Sequence, residues 1–131
     1  MSNSHKLWIA GLISPKGRPR FTRAGHAFTD KKTRATENFL KIHFKSKYRQ
    51  APIDGPIWVV VQVFLPKAKS NKDTHPITKA DIDNYLKSVF DAANGILWVD
   101  DKLIVSLVAH KMYDTVTNKV GLHLEFGRVQ S

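Results

Sequence analysis

Ile57-Trp58-Val59-Val60-Val61-Gln62-Val63-Phe64-Leu65 is the stretch on which the fold turns. A period of two places Ile57, Val59, Val61, Val63 and Leu65 on one face, and Trp58, Val60 and Phe64 on the other. A strand that is apolar on both faces belongs in the interior of a sheet, with neighbours on both edges. Pro52, Gly55 and Pro56 break the chain before it, and Pro66 breaks it after.

The neighbours come from both ends of the chain. Leu103 to Tyr113 and Lys119 to Phe126 read as two strands joined by a loop at Asp114–Asn118. In the last strand Val120, Leu122, Leu124 and Phe126 alternate with His123 and Glu125, which leaves one face open to water. His5 to Ile13 reads as a strand with Leu7, Ile9 and Ile13 opposite Trp8, Ala10 and Leu12, and Phe21 to Thr29 as a short hairpin turning at Ala24-Gly25. Two helices complete the set. One starts at a Thr33 or Thr36 cap and runs to about Arg49, with a stripe of Leu40, Phe44 and Tyr48 widened by Phe39 and Ile42. The other spans Ile82 to Asn94, with Ile82, Leu86, Val89 and Ala93 inward, helped by Tyr85 and Phe90, and Gly95 ending it in the left-handed conformation. The tail Gly127–Ser131 is expected to fray. The order predicts an α+β (mixed α/β) single domain over residues 1–131: one mixed sheet of about four to five strands with two main helices.

With 131 residues, 42% of them hydrophobic, the chain can bury a core without staples. It has no cysteine, which excludes disulfide scaffolds, thiolate metal sites and cysteine nucleophiles, and fits a reducing cytoplasm. No apolar run reaches the roughly 18 residues of a membrane span, and the first residues lack a signal-peptide layout. No phosphate-binding glycine loop, Gly-x-Ser-x-Gly or His-Glu-x-x-His is present, and no small-molecule cofactor is expected.

The net charge of +10 points to a polyanionic partner. Residues 1–79 hold sixteen basic and four acidic side chains; residues 80–131 hold five basic and seven acidic. The candidate phosphate contacts are Lys16, Arg18, Arg20 and Arg23 in the Pro- and Gly-broken loop after the first strand. Lys67, Lys69, Lys72 and Lys79 join them from the basic loop Pro66–Lys79.

Five of the eleven acids fall between Asp81 and Asp101. Crowded carboxylates repel unless a cation sits among them. Hard divalent ions take oxygen ligands, and Mg²⁺ keeps waters and substrate phosphates in its shell. At a helix start Asp81 and Asp83 can reach one point, and an acid of Asp100-Asp101 joins them if the next strand packs beside the helix. Lys87 then lies near a scissile phosphate. Each acid also has a plain structural reading. Asp81 is a helix cap, Asp83 a first-turn acid, Asp83–Lys87–Asp91 a solvated ladder, and Asp100-Asp101 a turn. His75 reads as a loop histidine, His110 and His123 as structural, and Trp8, Trp58 and Trp98 as core.

Asp81-Ile82-Asp83-Asn84-Tyr85-Leu86-Lys87, then Phe90-Asp91-Ala92, Asn94-Gly95 and Trp98-Val99-Asp100-Asp101, resembles the RusA family of Holliday junction resolvases. Pro15-Lys16-Gly17-Arg18-Pro19-Arg20-Phe21 is similar to the basic stretch of prophage-type members, and the resemblance runs from about residue 6 to 126. It implies a homodimer that cleaves four-way DNA junctions by paired nicks, using Mg²⁺, for which Mn²⁺ can substitute. It implies that Asp81, Asp83 and Asp101 are essential metal-linked acids, with Asp100 beside them, and that Lys87 is an essential lysine. Lys79-Ala80 stands where a common variant has Lys-Pro. The competing expectations are a metal nuclease for other branched DNA, which the same residues would serve, and a non-catalytic basic module that binds DNA or RNA.

Overall fold

The computed structural model describes residues 4–17, 20–21, 24–25, 27–28 and 31–130, with the backbone alone at 20, 21, 27 and 28. Arg18, Arg23, His26 and the side chain of Arg20 lie outside the described residues.

Four strands form one mixed sheet: β1 (Ser4–Ala10), β4 (Ile57–Phe64), β5 (Ile104–Met112) and β6 (Gly121–Arg128), in the order β1-β6-β4-β5. β4 sits between β6 and β5, the interior position that its two apolar faces predict. β6 runs antiparallel to both of its neighbours, and β4 and β5 are parallel. A parallel pair needs a crossover, which the basic loop and helix α2 (Ile82–Ala93) supply. The short strands β2 (Arg20–Phe21) and β3 (Ala27–Phe28) make the separate hairpin, and helix α1 (Lys31–Lys47) packs against α2.

Both helices cover one face of the sheet. Under them lie Leu7 and Ile9 of β1, Val59, Val61 and Val63 of β4, and Leu122, Leu124 and Phe126 of β6, all buried. The opposite face carries half-buried Trp58, Val60, Gln62, His123 and Glu125, and Trp8 is exposed there, so of the three tryptophans only Trp98 is fully core.

Several local details differ from the sequence reading. Neither Thr33 nor Thr36 caps α1, which starts at Lys31; both are buried inside it and accept hydrogen bonds from another segment. Ile42 does not widen the apolar stripe but is 68% exposed. β1 stops at Ala10 because Gly11 takes φ +137°, where a Cβ would stand 2.9 Å from the Phe39 ring. β6 continues to Arg128, so Gly127 and Arg128 belong to the sheet rather than to a frayed tail. Gly95 is left-handed as expected, at φ +81°.

Gly121 faces Ala10 across the β1–β6 ladder. A Cβ there would lie 2.3 Å from the carbonyl oxygen of Ile9, a backbone atom that the ladder holds in place. Gly121→Ala is expected to cost about 2–3 kcal/mol and to lower the melting temperature by roughly 10 °C. Thermal melts followed by circular dichroism check this, and an unchanged midpoint contradicts it.

Candidate active site at the start of helix α2

The loop leaving β1 is stitched between the two helices. The Ser14 N–H donates to Thr36 Oγ1 at 3.2 Å, and the Gly17 N–H to Thr33 Oγ1 at 3.0 Å. From the other side, the Lys16 N–H donates to the Asn84 carbonyl at 2.9 Å, and Ser88 Oγ donates to the Ser14 carbonyl at 2.9 Å. The two buried threonines therefore act as tertiary anchors. They fix the stretch that leads directly into Arg18 and Arg20.

Lys16 completes the seam. Its ammonium pairs with Asp91 of α2 and with Glu37 of α1, the latter at 3.3 Å. The hydrogen bond that Lys16 donates to Asp91, helped by Glu37, holds the lysine above its ordinary pKa against the opposing effect of burial. The sequence marks Lys16 as a DNA contact; the structure commits its charge to two carboxylates.

Beside this seam opens a cleft of about 510 Å³. Asp81, Asp83, Asp91, Lys16 and Lys87 line it, with Gly17 and Asn84 at its wall. Asp81 occupies the N-cap position of α2 with extended backbone (φ −61°, ψ 143°), yet its side chain makes no capping bond. A cap would normally satisfy one of the open N–H groups of the first turn. Here the carboxylate is instead exposed at the cleft. Asp83 is exposed in the first turn, and its one ion-pair partner among the described residues is Lys87, at 3.8 Å and also exposed. Asp91, the second acid of the helix ladder, is taken by Lys16, so Lys87 is left to Asp83. A groove of about 540 Å³ lined by His5, Tyr48 and Arg128 lies elsewhere and carries no carboxylate.

The second acidic pair lies at the other end of the helix. Asp100 caps a short 3-10 turn, accepting from the Lys102 N–H at 2.9 Å. Asp101 Oδ2 accepts from Asn94 Nδ2 at 3.4 Å, and Asn94 Oδ1 accepts from the indole N–H of fully buried Trp98 at 3.0 Å. Asn94 is the C-cap of α2. At 1.5 Å per residue, a helix from Asp81 to Asn94 spans roughly 20 Å. One chain therefore does not gather Asp81, Asp83, Asp100 and Asp101 at one point, contrary to the expectation from sequence. Among the described residues, no three histidine, aspartate or glutamate side chains form a metal cage.

None of the remaining lysine candidates is in the lining of the cleft; Lys67 and Lys69 border a separate pocket with Asp114. Lys69 and Lys72 are exposed, Lys67 and Lys79 half-buried, and the Lys67 ammonium stands 5.6 Å over the Tyr113 ring. His75 is exposed in the same loop.

A family model described as endodeoxyribonuclease RusA matches residues 11–125, nearly the whole chain. The chain belongs to the RusA endodeoxyribonuclease family. It is also 29% identical over 123 residues to the uncharacterized protein YqaN of Bacillus subtilis (strain 168), a match covering 82% of this chain and 87% of that protein. RusA membership makes it a nuclease of the Holliday junction resolvase type. No helix among the described residues is long and apolar enough to cross a membrane.

Within this RusA-family chain, Asn94, which the sequence reading names only as the helix end and within the resemblance, links Asp101 to Trp98. Its signal was the spacing of four to Trp98, which lets one amide hold an indole and an aspartate together.

Proposed function

We propose that the chain is a divalent-metal-dependent resolvase that cuts four-way DNA junctions by paired nicks in opposing strands, as a homodimer during DNA recombination and repair. The observation that carries this reading is the uncapped Asp81 carboxylate beside Asp83 and Lys87, in an acidic cleft of a chain with net charge +10. A carboxylate needed only for the helix would bond to its N–H groups.

The donor set suits Mg²⁺, with Mn²⁺ as a substitute. Mg²⁺ takes hard oxygen ligands and usually keeps several waters beside one or two carboxylates and a substrate phosphate. Asp81 and Asp83 would hold the ion, which supplies neutralisation of phosphate charge and a more acidic water. Lys87 projects into the same cleft and meets the developing negative charge on the phosphodiester oxygens. Lys16 keeps Asp91 occupied, so that Asp83 and Lys87 face the substrate together. Arg18, Arg20 and Arg23, with Lys67, Lys69, Lys72 and Lys79, hold the DNA backbone through salt-dependent phosphate contacts.

The test compares an end-labelled four-way junction with a linear duplex and a flap, in Mg²⁺ and in EDTA. Paired nicks confined to the junction and lost in EDTA are the expected result. Equal cutting of the flap would favour a nuclease for branched DNA in general. Tight binding without cutting in Mg²⁺ or Mn²⁺ would leave a binding module.

A further inference from the structure

Helix α1 leads away from the acidic cleft and carries cations that no carboxylate neutralises. Glu37 stands at the seam beside the cleft, where it shares Lys16 with Asp91. Lys41 and Lys45 follow it at successive spacings of four, so the three lie along one side of the helix. Arg49 comes next, just past the helix end, and is exposed. No acid stands between Glu37 and Asp54 in the sequence. Among the described residues Lys41, Lys45 and Arg49 form no ion pair. The helix dipole favours a lysine in the last turn, but Lys41 precedes that turn and Arg49 lies beyond it. Like charges one turn apart weaken a helix, so the stability of α1 does not account for the stripe.

The stripe ends at the groove of about 540 Å³ formed by His5, Tyr48, Gln50 and Arg128. Its wall is aromatic: the His5 ring meets Tyr48 edge to face, 5.0 Å between centroids, and lies 5.1 Å from Phe126. The Tyr48 hydroxyl donates to the Ala51 carbonyl at 2.9 Å. Arg128 is exposed, and its Nη1 donates to the Asp54 carbonyl at 3.0 Å. That bond fixes the guanidinium without neutralising it, since Arg128 forms no ion pair among the described residues. An arginine held by one donor keeps the rest of its planar fork for the oxygens of a phosphate.

Groove and cleft lie at opposite ends of the sheet. Arg128 is in register with Ile57 at the start of β4. Lys111 is in register with Val63 near the end of β4, and its ammonium donates to the Ala80 carbonyl at 3.0 Å, next to Asp81. From Ile57 to Val63 the strand covers roughly 20 Å. Along duplex DNA that is about six base pairs.

We propose that α1 is a second DNA-binding surface: the phosphate backbone of a junction arm follows Lys41, Lys45 and Arg49 away from the cleft, and a phosphodiester seats on Arg128 about six base pairs further on. This rests on the reading of the α2 cleft as the place of cutting. The groove offers cations and no carboxylate, in a chain of a DNA nuclease family, which selects a DNA phosphate as the occupant.

The test measures binding in EDTA, which separates it from cutting. Neutral methylphosphonates replace two or three successive phosphates of one arm of a four-way junction, scanned outward from the branch point. Wild-type affinity in gel-shift titration should fall in two windows about six base pairs apart. Arg128→Gln should bind the unmodified junction about tenfold less tightly and lose its response to the distal window alone. Lys41→Gln combined with Lys45→Gln should keep its circular dichroism spectrum and lower the slope of log K against log[salt] by about 2. The absence of a distal window in the wild type overturns the proposal, and so does a distal window that persists in Arg128→Gln. An unchanged salt slope in the lysine variant overturns it too and leaves the stripe to an acidic protein. If Arg128→Gln does not fold, the wild-type scan and the lysine variant still decide. Wild type that binds in both windows yet leaves the junction uncut in Mg²⁺ would refute the catalytic reading of the cleft and not the α1 contact.

Discussion

Asp81→Asn and Asp83→Asn are each expected to lower the rate of junction cutting by about 10²–10³-fold or more while keeping or tightening DNA affinity. Both residues are exposed, so the isosteric amides leave the fold within ~0.5 kcal/mol. Asp81 gives no capping bond, and its loss removes none from α2. The amide is a far weaker ligand for a hard cation than the carboxylate, and each change also removes a negative charge facing DNA phosphates. The kinetic and binding effects should therefore move in opposite directions. Single-turnover cutting and gel-shift titration of one junction measure both, and normal cutting by either variant contradicts the assignment.

Lys87→Ala is expected to reduce cutting by roughly 10²-fold with little change in melting temperature. Its visible partner is Asp83 at 3.8 Å, and such an exposed pair one turn apart contributes only about 0.3–0.5 kcal/mol. Stability is thus a poor reason for this lysine to stand there. Two roles remain separable. If Lys87 only orients Asp83, raising Mg²⁺ restores the rate. If its ammonium meets the phosphate, the loss persists at saturating Mg²⁺, the outcome expected here.

The sheet was legible because its information is local. The two apolar faces of Ile57–Leu65 placed β4 inside, and the alternation after Val120 announced a strand with one wet face. What the sequence hid depends on contacts between distant segments. Thr33 and Thr36 are good caps by local chemistry, but hydrogen bonds to Gly17 and Ser14 outweigh that role and draw them into the interior. Lys16 read as one cation among several in a loop, because nothing local pairs it with Glu37 and Asp91.

The acidic cluster shows a different limit. Asp81 at the helix start and the Asp83–Lys87 spacing follow directly from the periodicity. The expectation that Asp101 joins them within one chain overlooked the twelve-residue helix that α2 interposes. A straight helix of that length is a rod of about 18 Å, so the spacing itself already held the two acidic ends apart.

The most direct measurement of the central claim locates the metal. Fe²⁺ replaces Mg²⁺ in the wild-type protein, and ascorbate with peroxide generates hydroxyl radicals that cut the polypeptide beside the ion. The expected pattern is backbone cleavage flanking Asp81 and Asp83, suppressed by excess Mg²⁺ and absent in Asp83→Asn. Cuts that cluster around the His5–Arg128 groove, or that persist unchanged in Asp83→Asn, would contradict an active site at the start of α2.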